Sequence, residues 1–74
     1  MISRMSNATF GVLRDDETIV GWVIQTKDDC RTWMEGASRG AAFAACKAVE
    51  TNKPGSVEWC RPWVVRDGVR VIGV

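Results

Sequence analysis

The sequence predicts an α+β domain in which a single antiparallel sheet of about five strands packs on one α-helix, in the order β-β-β-α-β-β. One segment combines the composition and the boundary residues of a helix. Short runs rich in β-branched and aromatic residues lie on both sides of it and carry the four tryptophans. A chain of 74 residues can build only one core. We therefore predict one domain over residues 1–74, of which 1–7 form a loosely ordered tail.

The predicted helix covers residues 38–52, SRGAAFAACKAVETN, which are dense in alanine, the strongest helix former. Ser38 is a favourable N-cap because its side chain can accept a hydrogen bond from an otherwise unpaired backbone N–H. The helix is expected to end before Pro54, which cannot continue it, and Gly55, which permits a positive φ.

Three strands are predicted before the helix, over residues 8–13, 18–26 and 30–35. The second of them, TIVGWVIQT, is β-branched or aromatic almost throughout and apolar on both faces, which indicates a central strand. Charged turns at 14–17 and 27–29 separate the three strands.

The third segment, CRTWME, has an alternative interpretation as the start of a helix over 30–48 with Asp28 or Asp29 as its cap. Gly36 and Gly40 would then lie inside the helix, where each costs ~1 kcal/mol relative to alanine. We therefore prefer the strand.

Residues 57–66 and 69–74 form the clearest hairpin in the sequence. Asp67-Gly68 between them is a favoured two-residue type I′ turn, whose twist matches that of the flanking strands. Pro62 cannot donate to a strand ladder, so we expect its strand to be an edge at that point or to contain a bulge.

Composition and charge argue against several classes of function. Ten Lys and Arg against nine Asp and Glu give a net charge of +1, neither the basic excess of a dedicated DNA or RNA binder nor the acidic excess of a DNA mimic. The chain has no histidine to shuttle protons near neutral pH. A cysteine nucleophile would therefore lack its usual base. No phosphate-binding glycine motif is present. We expect no enzyme activity, no catalytic residue and no cofactor.

The three cysteines, Cys30, Cys46 and Cys60, are odd in number and contain no CxxC pair. This pattern fits neither a disulfide framework nor a zinc site, so we expect reduced, half-buried thiols and no metal. No apolar run approaches the ~20 residues that span a membrane, and residues 1–6 lack the apolar stretch of a secretory signal. We expect a soluble, cytoplasmic protein.

The predicted hairpin suggests where a binding surface would lie. A two-residue loop pairs Val64 with Val71 and Trp63 with Ile72. Cys60, Val64 and Val71 then share one side, which suits close contact with an alanine-rich helix. If the helix covers that side, a set of aromatic and basic residues remains together on the open face of the sheet: Trp59, Arg61, Trp63 and Arg70.

Three uses of this open face are considered. Tryptophan and arginine are the residues most enriched at binding hot spots, which favours a protein partner. The tryptophans could instead belong to the core, particularly if a bulge at Pro62 turned one of them inward, or a homodimer could cover the face. The same residue types also suit base stacking with phosphate contact, which makes a nucleic-acid-binding regulator the alternative function.

Phe43 is the helix residue that breaks the amphipathic pattern. It lies among Arg39, Lys47 and Glu50, opposite the face that carries Ala42 and its small neighbours. Either Phe43 folds back over the sheet edge or the tail, or it is an exposed aromatic anchor for a partner.

Residues 21–74, especially GASRGAAFAACKAV followed by VEWCRPWVVRDGVRVIGV, resemble in layout several small phage-encoded anti-CRISPR proteins. The resemblance implies an inhibitor that binds a CRISPR surveillance complex or its nuclease stoichiometrically and blocks target DNA recognition or nuclease recruitment. The chain lacks the acidic excess of the DNA-mimicking members, which disfavours that mode of inhibition. No functional residue is carried over by position.

Overall fold

A computed structural model describes residues 8–74 of the chain, and the expected tail over 1–7 lies outside the described residues. It contains five strands and one helix in the predicted order: β1 Ala8–Gly11, β2 Gly21–Thr26, β3 Arg31–Glu35, α1 Arg39–Asn52, β4 Val57–Arg66 and β5 Val69–Gly73. The predicted α+β class, with one sheet on one helix, is confirmed. No helix within residues 8–74 has both the length and the apolar character needed to cross a membrane.

The strands form one sheet in the order β1-β5-β4-β2-β3, so β2 is an inner strand as predicted. The expectation that every strand pair is antiparallel is wrong at one position, because β1 pairs with β5 in parallel. β1 and β2 are therefore not a hairpin around the charged turn. Instead, residues 12–20 connect β1, at one edge of the sheet, to β2, which lies on the far side of β5 and β4.

The local signals in the sequence give the structure they predict. Ser38 is the N-cap of α1, and its Oγ accepts a hydrogen bond from the Ala41 N–H at 3.1 Å. Residues 31–35 are a strand rather than a helix, and Gly36 beyond them adopts a φ of 79° that no helix interior tolerates. Asp67 and Gly68 have φ values of 55° and 77°, as a type I′ turn requires.

The β4–β5 hairpin has the predicted register, with Trp63 opposite Ile72 and Val64 opposite Val71. Pro62 causes no bulge, and β4 pairs with β2 continuously there, Pro62 opposite Trp22. The Trp63 carbonyl accepts from Val20 on the β2 side, so the neighbouring residue, Pro62, faces β5. The pairing of β4 with β5 ends at Trp63, so no N–H is needed from Pro62. At Pro62, β4 is therefore an edge on its β5 side, while it stays paired with β2 on the other side.

The helix packs on the face of the sheet to which Trp22 points, since the Trp22 ring meets the Phe43 ring edge to face at 5.7 Å. The buried residues on this side come from the helix and three strands: Ile24, Ala42, Val64 and Val71. Glu50, expected on the solvent side of the helix, instead accepts hydrogen bonds from the backbone N–H groups of Gly55 and Val57. These bonds hold the start of β4 against the end of the helix.

The opposite face of the sheet, which the helix does not cover, has a buried cluster of its own. Val23 and Ile72 are fully buried there and Trp63 is only 2% exposed. Partly buried side chains pack around these three: Ala8, Val20, Trp33 and Trp59. The sheet therefore has apolar packing on both faces, although only one face is covered by a helix.

The crossover segment 12–20 is fastened to the β4–β5 hairpin by an ion pair between Glu17 and Arg66, with Nη2 and Oε1 2.5 Å apart. Arg66 also donates to the Val12 carbonyl, and the Arg14 N–H donates to Glu17. The hydrogen bond from Arg66, assisted by the one from Arg14, lowers the pKa of the Glu17 carboxyl to about 2. The folded chain therefore favours the ionised carboxylate.

We expect Glu17→Gln to remove a pH-dependent part of the stability. The pKa of Glu17 in the folded chain lies below its ordinary value of 4.5. Its contribution is thus fully present above about pH 4.5 and is lost as the pH falls toward 2. Thermal melts from pH 7 to pH 2 should show a lower midpoint for Glu17→Gln at pH 7 and a difference that closes in acid. Asp15→Asn is a matched change at an exposed position in the same segment, and its difference in melting midpoint from the native chain should not close in acid. Equal pH profiles for Glu17→Gln and the native chain would contradict the stabilising role of the Glu17–Arg66 ion pair.

Candidate functional site

The face of the sheet opposite the helix carries a continuous group of aromatic and arginine side chains, here called the aromatic–arginine face. Cross-strand partners share a face, and residues two apart along a strand lie on the same face. By this rule, the aromatic and arginine side chains of this face come from four strands. Its members are Phe10 of β1, Arg31 and Trp33 of β3, Trp59, Arg61 and Trp63 of β4, and Arg70 of β5.

One half of this face is built around Arg70. Its guanidinium carbon lies 4.2 Å from the centre of the Trp33 ring and 5.2 Å from that of Trp63. The two rings meet edge to face with their centres 5.2 Å apart. The Trp63 indole N–H donates to the Trp22 carbonyl at 3.1 Å. The polar atom of this buried ring is therefore satisfied, and the ring is fixed in one orientation.

The other half of the face is built around Trp59. The guanidinium carbons of Arg31 and Arg61 lie 5.7 Å and 5.4 Å from the Trp59 ring centre. Phe10 meets Trp59 edge to face at 5.7 Å, and Arg31 also lies 5.5 Å from the Phe10 ring. Each arginine here is within the distance at which a cation and an aromatic ring attract.

Arg31 and Arg61 are also held by hydrogen bonds. Arg31 Nε donates to Gln25 Oε1 at 2.6 Å, and Gln25 Nε2 in turn donates to Asp29 Oδ1 at 3.0 Å. Gln25, at the centre of this short network, is only 5% exposed, whereas Asp29 at its end is exposed. Arg61 Nη1 donates to the Gly73 carbonyl at 3.3 Å. Pro62, which lies beside Gly73, has no backbone N–H to donate to that carbonyl. The guanidinium groups are thus oriented before any partner arrives.

The structure brings Trp59, Arg61, Trp63 and Arg70 onto one face, as the predicted hairpin register requires. The expectation that Trp63 stays exposed is wrong, because this side chain is 2% exposed and belongs to the buried cluster. Trp63 therefore supports the face from beneath and does not offer its ring to a partner.

Sequence reasoning did not select Phe10, Arg31 and Trp33 for this face. The alternation of β3 places Arg31 and Trp33 on one side of their strand, which the sequence does indicate. Which side of the sheet that would be depends on the pairing of β3 with β2 and on the position of the helix, and no local signal encodes either. Phe10 joins the face only through the parallel pairing of β1 with β5.

Phe43 is not part of the aromatic–arginine face. It lies on the helix, on the other side of the sheet, with its ring against Trp22 and the Arg39 guanidinium carbon 5.2 Å above it. Phe43 therefore packs back onto the sheet, although 46% of it remains exposed.

The thiols are free in the described residues, and Cys30 is exposed rather than half-buried as expected. Cys46 of the helix and Cys60 of β4 interact across the helix–sheet interface. Burial and the neighbouring Cys46 thiol raise the pKa of the Cys60 thiol to about 12, so Cys60 is a poor nucleophile at neutral pH. No group of three or more potential ligands within residues 8–74 is placed to hold a metal ion.

A surface pocket of about 540 Å³ lies away from the aromatic–arginine face. Its walls are the turn at 26–28, the segment 52–56 and Val49 near the end of the helix. None of the residues predicted to bind a partner lines it.

Comparison of the chain with protein-family models, with curated protein sequences and with solved structures finds no match.

Proposed function

We propose that this chain is a small protein-binding inhibitor that docks its aromatic–arginine face onto an acidic surface of a larger protein complex. The observation that carries the proposal is the fixing of three arginines against aromatic rings on the sheet face that the helix leaves uncovered. Arginine and tryptophan dominate the energetics of protein interfaces.

Preorganisation strengthens this argument. A flexible arginine loses rotamer freedom when it binds, at a cost of about 0.5–1.5 kcal/mol per side chain. Arg31 is already held by Gln25, and Arg61 by the Gly73 carbonyl. The face can therefore engage a partner with less ordering cost than arginines free in solvent would require.

The charge of the face indicates the chemistry of the partner. Its strands contribute three arginines, whereas strand alternation places one carboxylate there, Glu35 at the end of β3, and the Asp29 carboxylate reaches the margin of the face through Gln25. The face is thus positively charged on balance. An acidic protein surface is complementary to it.

The resemblance of residues 21–74 to small anti-CRISPR proteins supplies the class of partner. We infer a CRISPR–Cas effector complex or its nuclease, bound in the cytoplasm of a bacterial host and prevented from targeting DNA. The chain itself carries out no catalysis in this proposal. Because the face is basic, inhibition would act through an acidic protein surface and not by imitation of DNA.

A nucleic-acid-binding regulator is the second candidate, since the same face combines arginines with aromatic rings. Base stacking needs open ring faces, however. Trp63 is buried, and guanidinium groups lie over Trp33 and Trp59. Phe10 is the most exposed aromatic residue of this face, at 46%. The protein partner is therefore the function that the geometry supports better.

We expect Arg61→Ala to weaken binding to the target complex by about 30-fold or more, the effect of losing a hot spot of about 2 kcal/mol. The measurement is the affinity of the purified chain for a panel of purified CRISPR–Cas effector complexes and nucleases, together with cleavage of target DNA. Arg39→Ala is the matched control, because Arg39 also lies over an aromatic ring but on the helix side. It should bind as the native chain does, and both variants are tested well below their melting temperatures.

Two results would count against the proposal. Failure to bind or inhibit any member of the panel would remove the CRISPR assignment, and equal losses in Arg61→Ala and Arg39→Ala would remove the aromatic–arginine face as the binding site. Retention on single-stranded DNA or RNA that falls steeply with salt would favour the second candidate instead.

A further inference from the structure

The outer edge of β3 is an open strand edge. The sheet order places β3 at one end, where it pairs with β2 on one side and, within residues 8–74, with no strand on the other. The helix packs over β2 and β4, further inside the sheet. Monomeric proteins commonly protect such an edge with charged side chains, especially lysine, with proline or with a bulge. The sequence of β3, RTWME, contains neither lysine nor proline, and its two charges, Arg31 and Glu35, are opposite in sign and stand at the two ends of the strand.

The backbone groups that face outward on this edge can be assigned from the hydrogen bonds at its ends. Thr26 donates to the Cys30 carbonyl at 2.9 Å, and Gly36 donates to the Val20 carbonyl at 2.8 Å. The even-numbered positions therefore face β2. Since antiparallel strands alternate, the N–H and C=O groups of Arg31, Trp33 and Glu35 point away from the sheet, toward any strand that pairs there.

We propose that the chain forms a two-fold symmetric dimer in which the β3 strands of two copies pair edge to edge in antiparallel orientation, centred on Trp33. In this register Arg31 lies opposite Glu35 of the second copy, and the same pair forms again across the symmetry axis. The Trp33–Trp33 and Arg31–Glu35 pairs consist of residues whose backbone groups point outward, so each pair can exchange two backbone hydrogen bonds, and the Thr32–Met34 pairs between them are the non-hydrogen-bonded pairs of the ladder. The interface is isologous, as two-fold symmetry requires.

Charge complementarity selects this register over its neighbours. Sliding one copy by two residues keeps the hydrogen-bond pattern but leaves fewer facing pairs and places Trp33 opposite Arg31 or Glu35. Both Arg31–Glu35 pairs are then lost. A parallel arrangement in register would set like charges opposite each other, which is destabilising. At the other end of the sheet, β1 spans only four residues, ATFG, and offers no charged pair.

The dimer does not depend on the proposed inhibitory function. It would join two sheets into one and place both aromatic–arginine faces on the same side, since cross-strand neighbours share a face. A dimer through the aromatic–arginine face itself would instead bury that face.

Sedimentation equilibrium over a concentration series at low salt tests the association. We expect Glu35→Arg to weaken dimerisation about tenfold or more, because it replaces two attractive pairs by two repulsive ones. Glu58→Arg makes the same change in charge at another exposed strand position and should leave the dimer intact. Mixing Glu35→Arg with Arg31→Glu should restore association, since both facing pairs become attractive again.

Amide hydrogen exchange followed by NMR tests the register. The amides of Arg31, Trp33 and Glu35 should become protected as the concentration rises, whereas those of Thr32 and Met34 should be protected at every concentration. If Arg31→Glu fails to fold, Glu35→Pro serves instead, because it removes an outward N–H that the monomer does not use. A chain that stays monomeric at all soluble concentrations overturns the proposal, and so does a dimer whose amides at 31, 33 and 35 exchange freely. Arg61→Ala should leave the dimer unchanged even if it abolishes inhibition, so the two proposals can fail separately.

Discussion

Trp63→Ala is expected to destabilise the domain by about 3–5 kcal/mol, the usual cost of truncating a buried large aromatic residue. Trp63 is 2% exposed and packs with Val23 and Ile72, which are fully buried. It also contributes the edge-to-face contact with Trp33 and one ring under Arg70. Small domains have total stabilities of only about 5–15 kcal/mol, so this single substitution removes a large part of the folding free energy. Urea denaturation followed by far-ultraviolet circular dichroism measures the loss.

Trp63→Phe separates the apolar contribution of this residue from its hydrogen bond. Phenylalanine keeps a ring in the cluster but cannot donate to the Trp22 carbonyl, so we expect a smaller loss, of about 1–3 kcal/mol. If Trp63→Ala instead unfolded at nearly the same urea concentration as the native chain, the cluster on this face would not be part of the core. Trp63 would then again be a candidate for direct partner contact.

Gly21→Ala is expected to destabilise the fold by an amount on the order of 3–5 kcal/mol, at the upper end for a single substitution. A Cβ atom at Gly21 would lie 2.2 Å from the Met34 carbonyl oxygen and 2.8 Å from the Glu35 Cα. Both are backbone atoms of the paired strand, so no side chain can rotate away to make room. β2 and β3 would have to separate at this point, which would also disturb Trp33 and its contacts.

Gly40→Ala provides the matched control for this substitution. Gly40 lies in the first turn of the helix, and nothing within 4 Å would meet an added Cβ. Alanine is the better helix former by up to about 1 kcal/mol, so this variant should be neutral or more stable. Thermal melts of the two variants should therefore shift in different ways. A Gly21→Ala melt close to that of the native chain would show that β2 and β3 do not approach each other so closely.

Local sequence signals predicted the element types well. The Ser38 cap, the helix end before Pro54 and the Asp67-Gly68 turn each depend on atoms a few residues apart, and all three appear where expected. The bounds of β4 were also predicted correctly. The predicted β1 ends too late and the predicted β2 begins too early, because β-branched and apolar residues continue from both strands into the crossover segment.

The candidate site was predicted only in part. The hairpin turn fixed the register of β4 against β5 and so placed Trp59, Arg61 and Arg70 together. Burial was harder to predict, because it depends on neighbours from other strands. Trp63 is covered in part by Trp33 and Arg70, which come from β3 and β5. Arg31 reaches its position through Gln25, a polar residue in a mostly apolar strand, and nothing in the sequence connects those two side chains.

By itself, the sequence determined what each segment is: the helix and its cap, the strands, the closing hairpin and the absence of a histidine-based site. The helix, strand and hairpin signals are local, since the residues that form each cap or turn are near neighbours along the chain. The tertiary structure alone decided how the segments meet: β1 beside β5 in parallel, Glu17 on Arg66 and three arginines over aromatic rings. Those arrangements join residues from distant segments, so their energies exist only once the sheet has assembled.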